Sequence, residues 1–180
     1  MAAPRSRMQD EIKQRVPFRS PEQEALLGLL RTADLLRRRL VQLVEPAGIT
    51  PQQYNVLRIL RGAGDQGLPT LEIAERMIEH APGITRLLER LERKGLVRRR
   101  RCPEDGRRVL CFSSPAGLAL LARLDGAIAT ADAEPFEGFG ADETRALVAL
   151  LDRVRGTLDR GLAPADPSDV TGTGTRRRKA

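Results

Sequence analysis

The sequence predicts a mainly α-helical domain carrying one small β-hairpin. Apolar residues recur at three- and four-residue spacing over most of residues 21–162. Between residues 96 and 113 the pattern becomes compatible with extended chain on either side of an Asp-Gly turn. The two ends, by contrast, carry no sustained apolar period. A chain of 180 residues, 41% of them apolar, is long enough to bury one substantial core. Aromatics are only 3%, so that core is built of Leu, Val, Ile and Ala.

Residues 1–20 are polar, contain Pro4 and Pro17, and read as a flexible arm. Leu26, Leu29, Leu30, Ala33, Leu36, Leu40 and Leu43 then form one stripe, predicting a helix from about Pro21 to Glu45 with Gly48 just past its end. At roughly 37 Å such a helix exceeds what the core of a small domain needs. Thr50-Pro51-Gln52-Gln53 is a capping-box pattern opening a second helix to about Arg61, whose Tyr54, Leu57 and Leu60 face inward. Gly62, Gly64 and Gly67 break the chain, and a short helix follows over Thr70 to Met77. Pro82 is expected to open the next helix, which runs to Lys94 and buries Ile84, Leu87, Leu88 and Leu91; Gly95 stops it. The hairpin is expected over Leu96–Cys102 and Val109–Phe112, around Pro103-Glu104-Asp105-Gly106-Arg107. Ser114 and Pro115 cap and open another helix, with Leu118, Leu121, Leu124 and Ile128 in its stripe. A last helix is predicted from about Asp142 to Leu162, with Leu147, Leu151, Val154 and Leu158 on one face. Residues 164–180 are rich in Pro, Gly, Ser, Thr and Asp and end on Arg176-Arg177-Arg178-Lys179; they read as a disordered basic tail.

A helix pair followed directly by a two-stranded hairpin is the order of a winged helix-turn-helix, here over about residues 50–113. The long helices at about 21–45 and 115–162 flank it and are free to form a dimerisation layer, giving one domain over 21–163.

Charge points the same way. The net charge is +7, and residues 86–108 hold ten Lys/Arg against four acids, so nearly the whole surplus lies in one short stretch. A basic cluster of this kind fits a polyanion. On the helix over 82–94, the face opposite the apolar stripe carries Arg86, Glu89 and Arg93, flanked by Thr85 and Arg90. A helix in the major groove presents long donors near its N-terminus, where Arg86 can bond a guanine edge in bidentate fashion. Thr85 is suited to a thymine methyl or a phosphate, and Arg90 and Arg93 to phosphates. An ordinary mixed-charge surface helix would look similar on its own. The hairpin tips the balance: Arg98-Arg99-Arg100-Arg101 put guanidinium groups on both faces of a strand, and Arg107 and Arg108 lie at or beside the tip, where an arginine fits a narrow minor groove. Candidate DNA contacts are therefore Thr85, Arg86, Arg90, Arg93, Arg99, Arg101, Arg107 and Arg108, with double-stranded DNA as the partner.

In Gly48-Ile49-Thr50-Pro51-Gln52-Gln53-Tyr54, Leu71-Glu72-Ile73-Ala74-Glu75-Arg76, the run Ile84-Thr85-Arg86-Leu87-Leu88-Glu89-Arg90-Leu91-Glu92-Arg93-Lys94-Gly95-Leu96-Val97, and Pro103-Glu104-Asp105-Gly106-Arg107-Arg108 followed by Ser114-Pro115-Ala116-Gly117, the chain resembles the MarR family of transcription regulators. The resemblance covers roughly residues 26–160. It implies a recognition helix at about 82–94, a wing at about 97–113, a homodimer formed through the first and last helices, and a pseudo-palindromic operator. It further implies repression of nearby genes, with release by a small-molecule effector. The effector pocket it implies draws on residues near Leu36, Leu40, Tyr54 and Leu57, which a plain core explains equally well; one Tyr and no Trp do not favour an aromatic-lined pocket. The family's wing often reads Asp-x-Arg-Asp-x-Arg. Here only Asp105-Gly106-Arg107 is kept, suiting Asp105 and Gly106 to a structural role in the wing.

Other chemistry is poorly provided for. Two cysteines and one histidine are too few for the usual zinc site. There is no nucleophile–base pairing, phosphate-cradling glycine loop or paired-carboxylate pattern, so neither an enzyme nor a cofactor is expected. Cys102 and Cys111 both fall in the wing, where arginines would favour a thiolate; an inert thiol is the simpler expectation. No secretory signal and no spanning apolar run is present, which leads to the expectation of a cytoplasmic protein. A winged-helix protein-interaction module binding an acidic partner remains the alternative function.

Overall fold

A computed structural model describes residues 5–101 and 109–162. The described residues form two compact units, one ending at Glu134 and one beginning at Pro135. The first contains helices α1 (Arg7–Glu11), α2 (Pro21–Val44), α3 (Pro51–Ala63), α4 (Thr70–Glu75), α5 (Ile84–Arg93) and α6 (Pro115–Ala133), with strands β1 (Leu68–Pro69), β2 (Val97–Arg101) and β3 (Val109–Ser113). The second contains α7 (Ala141–Leu162).

Most helix starts follow from local chemistry. The Ser20, Thr50 and Ser114 side chains each accept an N–H three residues on, and Pro21, Pro51 and Pro115 occupy the first turns, where a missing N–H costs nothing. In α3 the box is reciprocal: the Gln53 side chain accepts the Thr50 N–H. The start of α5 departs from expectation. Pro82 lies in a turn, and the residue flanking the helix is Gly83 at φ 94°, left-handed backbone that suits glycine. The N-terminal arm also differs from a structureless segment. Ser6 and Gln9 make a capping box that opens α1, and the Gln9 side chain donates to the Val16 carbonyl.

The core surrounds α3, whose Tyr54, Val56, Leu57 and Leu60 are buried and which packs on α2, α4, α5, α6 and β3. Val44, Ile49, Ile73, Leu88, Leu91, Val97, Cys111, Leu120, Leu121 and Ile128 complete the cluster. The sheet has three strands rather than the two of a hairpin, in the order β1-β3-β2, all antiparallel. β1 is two residues long, too short for alternation to reveal, and Pro69 sits on the sheet's edge, where proline is tolerated.

The leucine stripe of α2 is only partly used within the unit. Leu40 and Leu43 pack on the core, whereas Leu26, Leu29, Leu30, Leu35 and Leu36 are exposed, Leu30 to 60%. On α7, Val148, Leu150, Val154 and Leu158 are exposed as well. Among the described residues, no helix is long and apolar enough to cross a membrane.

Candidate nucleic-acid interface

α5 buries Leu88 and Leu91, half-buries Ile84 and Leu87, and leaves Thr85, Arg86, Glu89, Arg90 and Arg93 in solvent. Among the described residues, no ion pair engages Arg86, Arg90 or Arg93. The helix is therefore an exposed cationic face on an apolar anchor.

Four contacts fix that face in position. The Asn55 carboxamide oxygen on α3 accepts the Ile78 N–H at 3.0 Å, in the segment leading to α5. In the same segment Glu79 accepts from Arg37 of α2 at 2.8 Å, and this bond raises the Arg37 pKa above its ordinary value. At the other end, Lys94 donates to the Gly48 carbonyl and, at 3.3 Å, to the Gln53 side chain. Beyond Lys94, the Ser114 hydroxyl donates to the Gly95 carbonyl at 2.6 Å while accepting the Gly117 N–H at 3.0 Å. The Ser114 N–H also donates to the Leu96 carbonyl at 3.0 Å. One buried serine thus joins the end of α5, the start of β2 and the cap of α6. Gly117 permits the close approach, since a β-carbon there would lie 2.3 Å from the Leu96 carbonyl oxygen.

In β2, alternation separates the four arginines. Arg99 turns inward, and its Nε donates to Glu92 of α5 at 2.6 Å. The hydrogen bond to Glu92 raises the Arg99 pKa, against a smaller loss from burial. Arg99 is thus already occupied within the fold, whereas Arg98, Arg100 and Arg101 are exposed. Arg100 lies over the Phe112 ring, 5.1 Å from its centroid. The expected contacts Arg107 and Arg108, the wing residues Asp105 and Gly106, and Cys102 lie outside the described residues. Cys111 is fully buried opposite Arg99. Burial pushes its thiol pKa up, outweighing the Thr70 hydrogen bond and the Arg99 charge that pull it down, so Cys111 is poorly placed to act as a thiolate.

The residues expected to line an effector pocket are not among those lining the clefts described for this chain. Tyr54 and Leu57 are buried in the core, Leu40 packs against it and Leu36 is exposed. A cleft of about 500 Å³ lies instead among Ala47, Gly48, Ile49, Lys94, Leu96, Ala116, Ala119, Leu120 and Arg123. Sequence periodicity could not find it, because it gathers residues from three separated segments. Among the described residues no group of His, Cys, Asp and Glu is placed to hold a metal.

Comparison with known proteins places this geometry. The model of the MarR family matches residues 49–109. The chain is similar to the crystal structure of a MarR transcription factor from Planctomyces limnophilus, at 38% identity and a TM-score of 0.58, over 76% of this chain and 98% of that one. It is 31% identical, over 59% of its length and 63% of the relative's, to a putative transcriptional regulatory protein for the hcr operon of Thauera aromatica. The chain thus spans a little under two thirds of that curated relative. It is also similar to the PcaV transcriptional regulator of Streptomyces coelicolor, solved in complex with its natural ligand, at 26% identity and a TM-score of 0.60, over 78% of this chain and 96% of that one.

Proposed function

This chain belongs to the MarR family, and from that premise we propose that it is a sequence-specific, double-stranded DNA-binding transcription regulator acting as a homodimer. The observation that carries the reading is the exposed arginine face of α5 beside the arginine-rich strand β2, with Arg86, Arg90 and Arg93 free of acidic partners among the described residues. Arg86, near the start of α5, reaches a base edge in the major groove, and Thr85 a phosphate or a thymine methyl. Arg90 and Arg93 grip phosphates. Arg101, with Arg107 and Arg108, follows the wing into the minor groove. Arg99 holds the wing on α5 rather than touching DNA.

The exposed apolar residues of α2 and of α7 supply the dimer surface, and a two-fold dimer calls for a pseudo-palindromic operator. Bound near a promoter the dimer represses the adjacent gene, and a small-molecule effector releases it, as the ligand-bound Streptomyces relative suggests.

Selection from random duplexes, followed by anisotropy titration of the selected operator, tests this. Arg86→Ala is expected to cost about 1–3 kcal/mol of discrimination at one base pair per half-site. Wild-type protein that binds all duplexes equally would overturn the reading.

A further inference from the structure

The two ends of α5 are held in different ways. Its C-terminal end is fixed by fully buried Leu91, by the Lys94 contacts and by the Ser114 hydroxyl. Its first turn, which carries Thr85 and Arg86, begins at Gly83 with no side-chain cap. Residues 78–83 ahead of that turn include no buried residue, and Ile78 is 83% exposed. Packing therefore leaves this segment unfixed. Among the described residues, two side chains from other elements bond to it. Asn55 of α3 accepts the Ile78 N–H at 3.0 Å, and Arg37 of α2 donates to Glu79 at 2.8 Å.

The Arg37 and Glu79 side chains are 51% and 43% exposed. An ion pair so open to water contributes little to global stability. Its place in the chain has a larger consequence. A base edge is read through directional hydrogen bonds, which weaken steeply when the donor tilts. A phosphate contact depends mainly on charge and tolerates the same tilt. We propose that Arg37 and Glu79, with Asn55, are specificity-determining positioning residues. They hold the first turn of α5 at the angle from which Arg86 reads a base, and so govern discrimination between duplexes rather than overall grip. The inference rests on the DNA-binding reading above. It adds that base choice depends on a side chain of α2, a helix that carries none of the base-reading residues.

The test measures anisotropy with two duplexes: the selected operator, and the same operator changed at the base pair that Arg86→Ala no longer discriminates. Glu79→Gln and Arg37→Gln are each expected to lower the ratio of the two affinities by about 2- to 5-fold per half-site, at a thermal midpoint close to wild type. The double variant should lose no more than either single one, because both break the same contact. The exchanged pair, Arg37→Glu with Glu79→Arg, should restore most of the ratio. The slope of log K against log salt should stay that of wild type, since no phosphate contact is lost. In the free protein, Glu79→Gln should quicken hydrogen exchange at the Leu87 and Leu88 amides and leave the Leu96 amide as it is.

Three results would overturn the proposal. One is an unchanged ratio in both single variants. Another is losses that multiply in the double variant. The third is a slope shallower by about one per subunit in Arg37→Gln alone, which would make Arg37 a phosphate contact. A wild type that discriminates, with variants that discriminate equally well, removes this proposal alone. A wild type that prefers no duplex removes the DNA-binding reading, and this inference with it.

Discussion

Gly117 shows how much one missing carbon supports. It lies three residues into α6, under the Leu96 carbonyl and beside Ser113 and Leu57. Backbone stands in the way of any side chain there, so the helix must shift. Gly117→Ala is expected to cost about 1–3 kcal/mol by overpacking, read as a lower urea midpoint at an unchanged slope. Cys111 carries a second prediction. Its pKa is raised in the fold by burial, so the unfolded thiol ionises first, near the ordinary value of 9.0. Stability from this group is complete below that value and falls as pH rises from there through the higher folded pKa. In a Cys102→Ser background, alkylation of the remaining thiol should track global unfolding, and Cys111→Ala should remove the part of the alkaline loss that begins near pH 9. Rapid alkylation of the folded protein would refute the burial argument.

The capped starts at Thr50 and Ser114 were legible residue by residue, because each cap is followed by proline and acts within four residues, whereas the Ser6 cap of α1, with no proline or apolar stripe after it, was not. The start of α5 was not, since Pro82 mimics a first-turn proline while the break is made by Gly83 in left-handed backbone. Nor was β1, which exists only because β3 pairs with it. The candidate site was legible in the same uneven way. The helical period identified the exposed face of α5 with Thr85, Arg86, Arg90 and Arg93. Strand parity separated the arginines of β2 into two faces, but not which of them the fold consumes. The Arg99–Glu92 pair depends on α5 and β2 packing together, and sequence seven residues apart does not state that. The pair bears on specificity. Glu92→Gln is expected to free Arg99 for a phosphate, raise affinity for random duplex and steepen the salt slope by about one unit per subunit, with a smaller specificity ratio. An unchanged slope in anisotropy titrations would show that Arg99 stays occupied.

For the whole molecule, the difficulty is an excess of exposed apolar surface on two long helices. Leu26, Leu29, Leu30, Leu35 and Leu36 on α2, and Val148, Leu150, Val154 and Leu158 on α7, leave one copy of the chain poorly covered. In the homodimer proposed above, a second copy covers this surface and sets two α5 faces in a fixed relation. Leu26→Glu combined with Leu30→Glu should yield a monomer by sedimentation, with operator binding lost although the buried core residues are untouched.

Hydroxyl-radical footprinting of the purified chain on its selected operator tests the central arrangement most directly. Two α5 faces and two wings related by a two-fold axis predict two equivalent protected regions, their centres one helical turn or a whole multiple apart. Protection should flank each centre where the wing meets the minor groove. A single protected region, or uniform weak protection along the duplex, would contradict it.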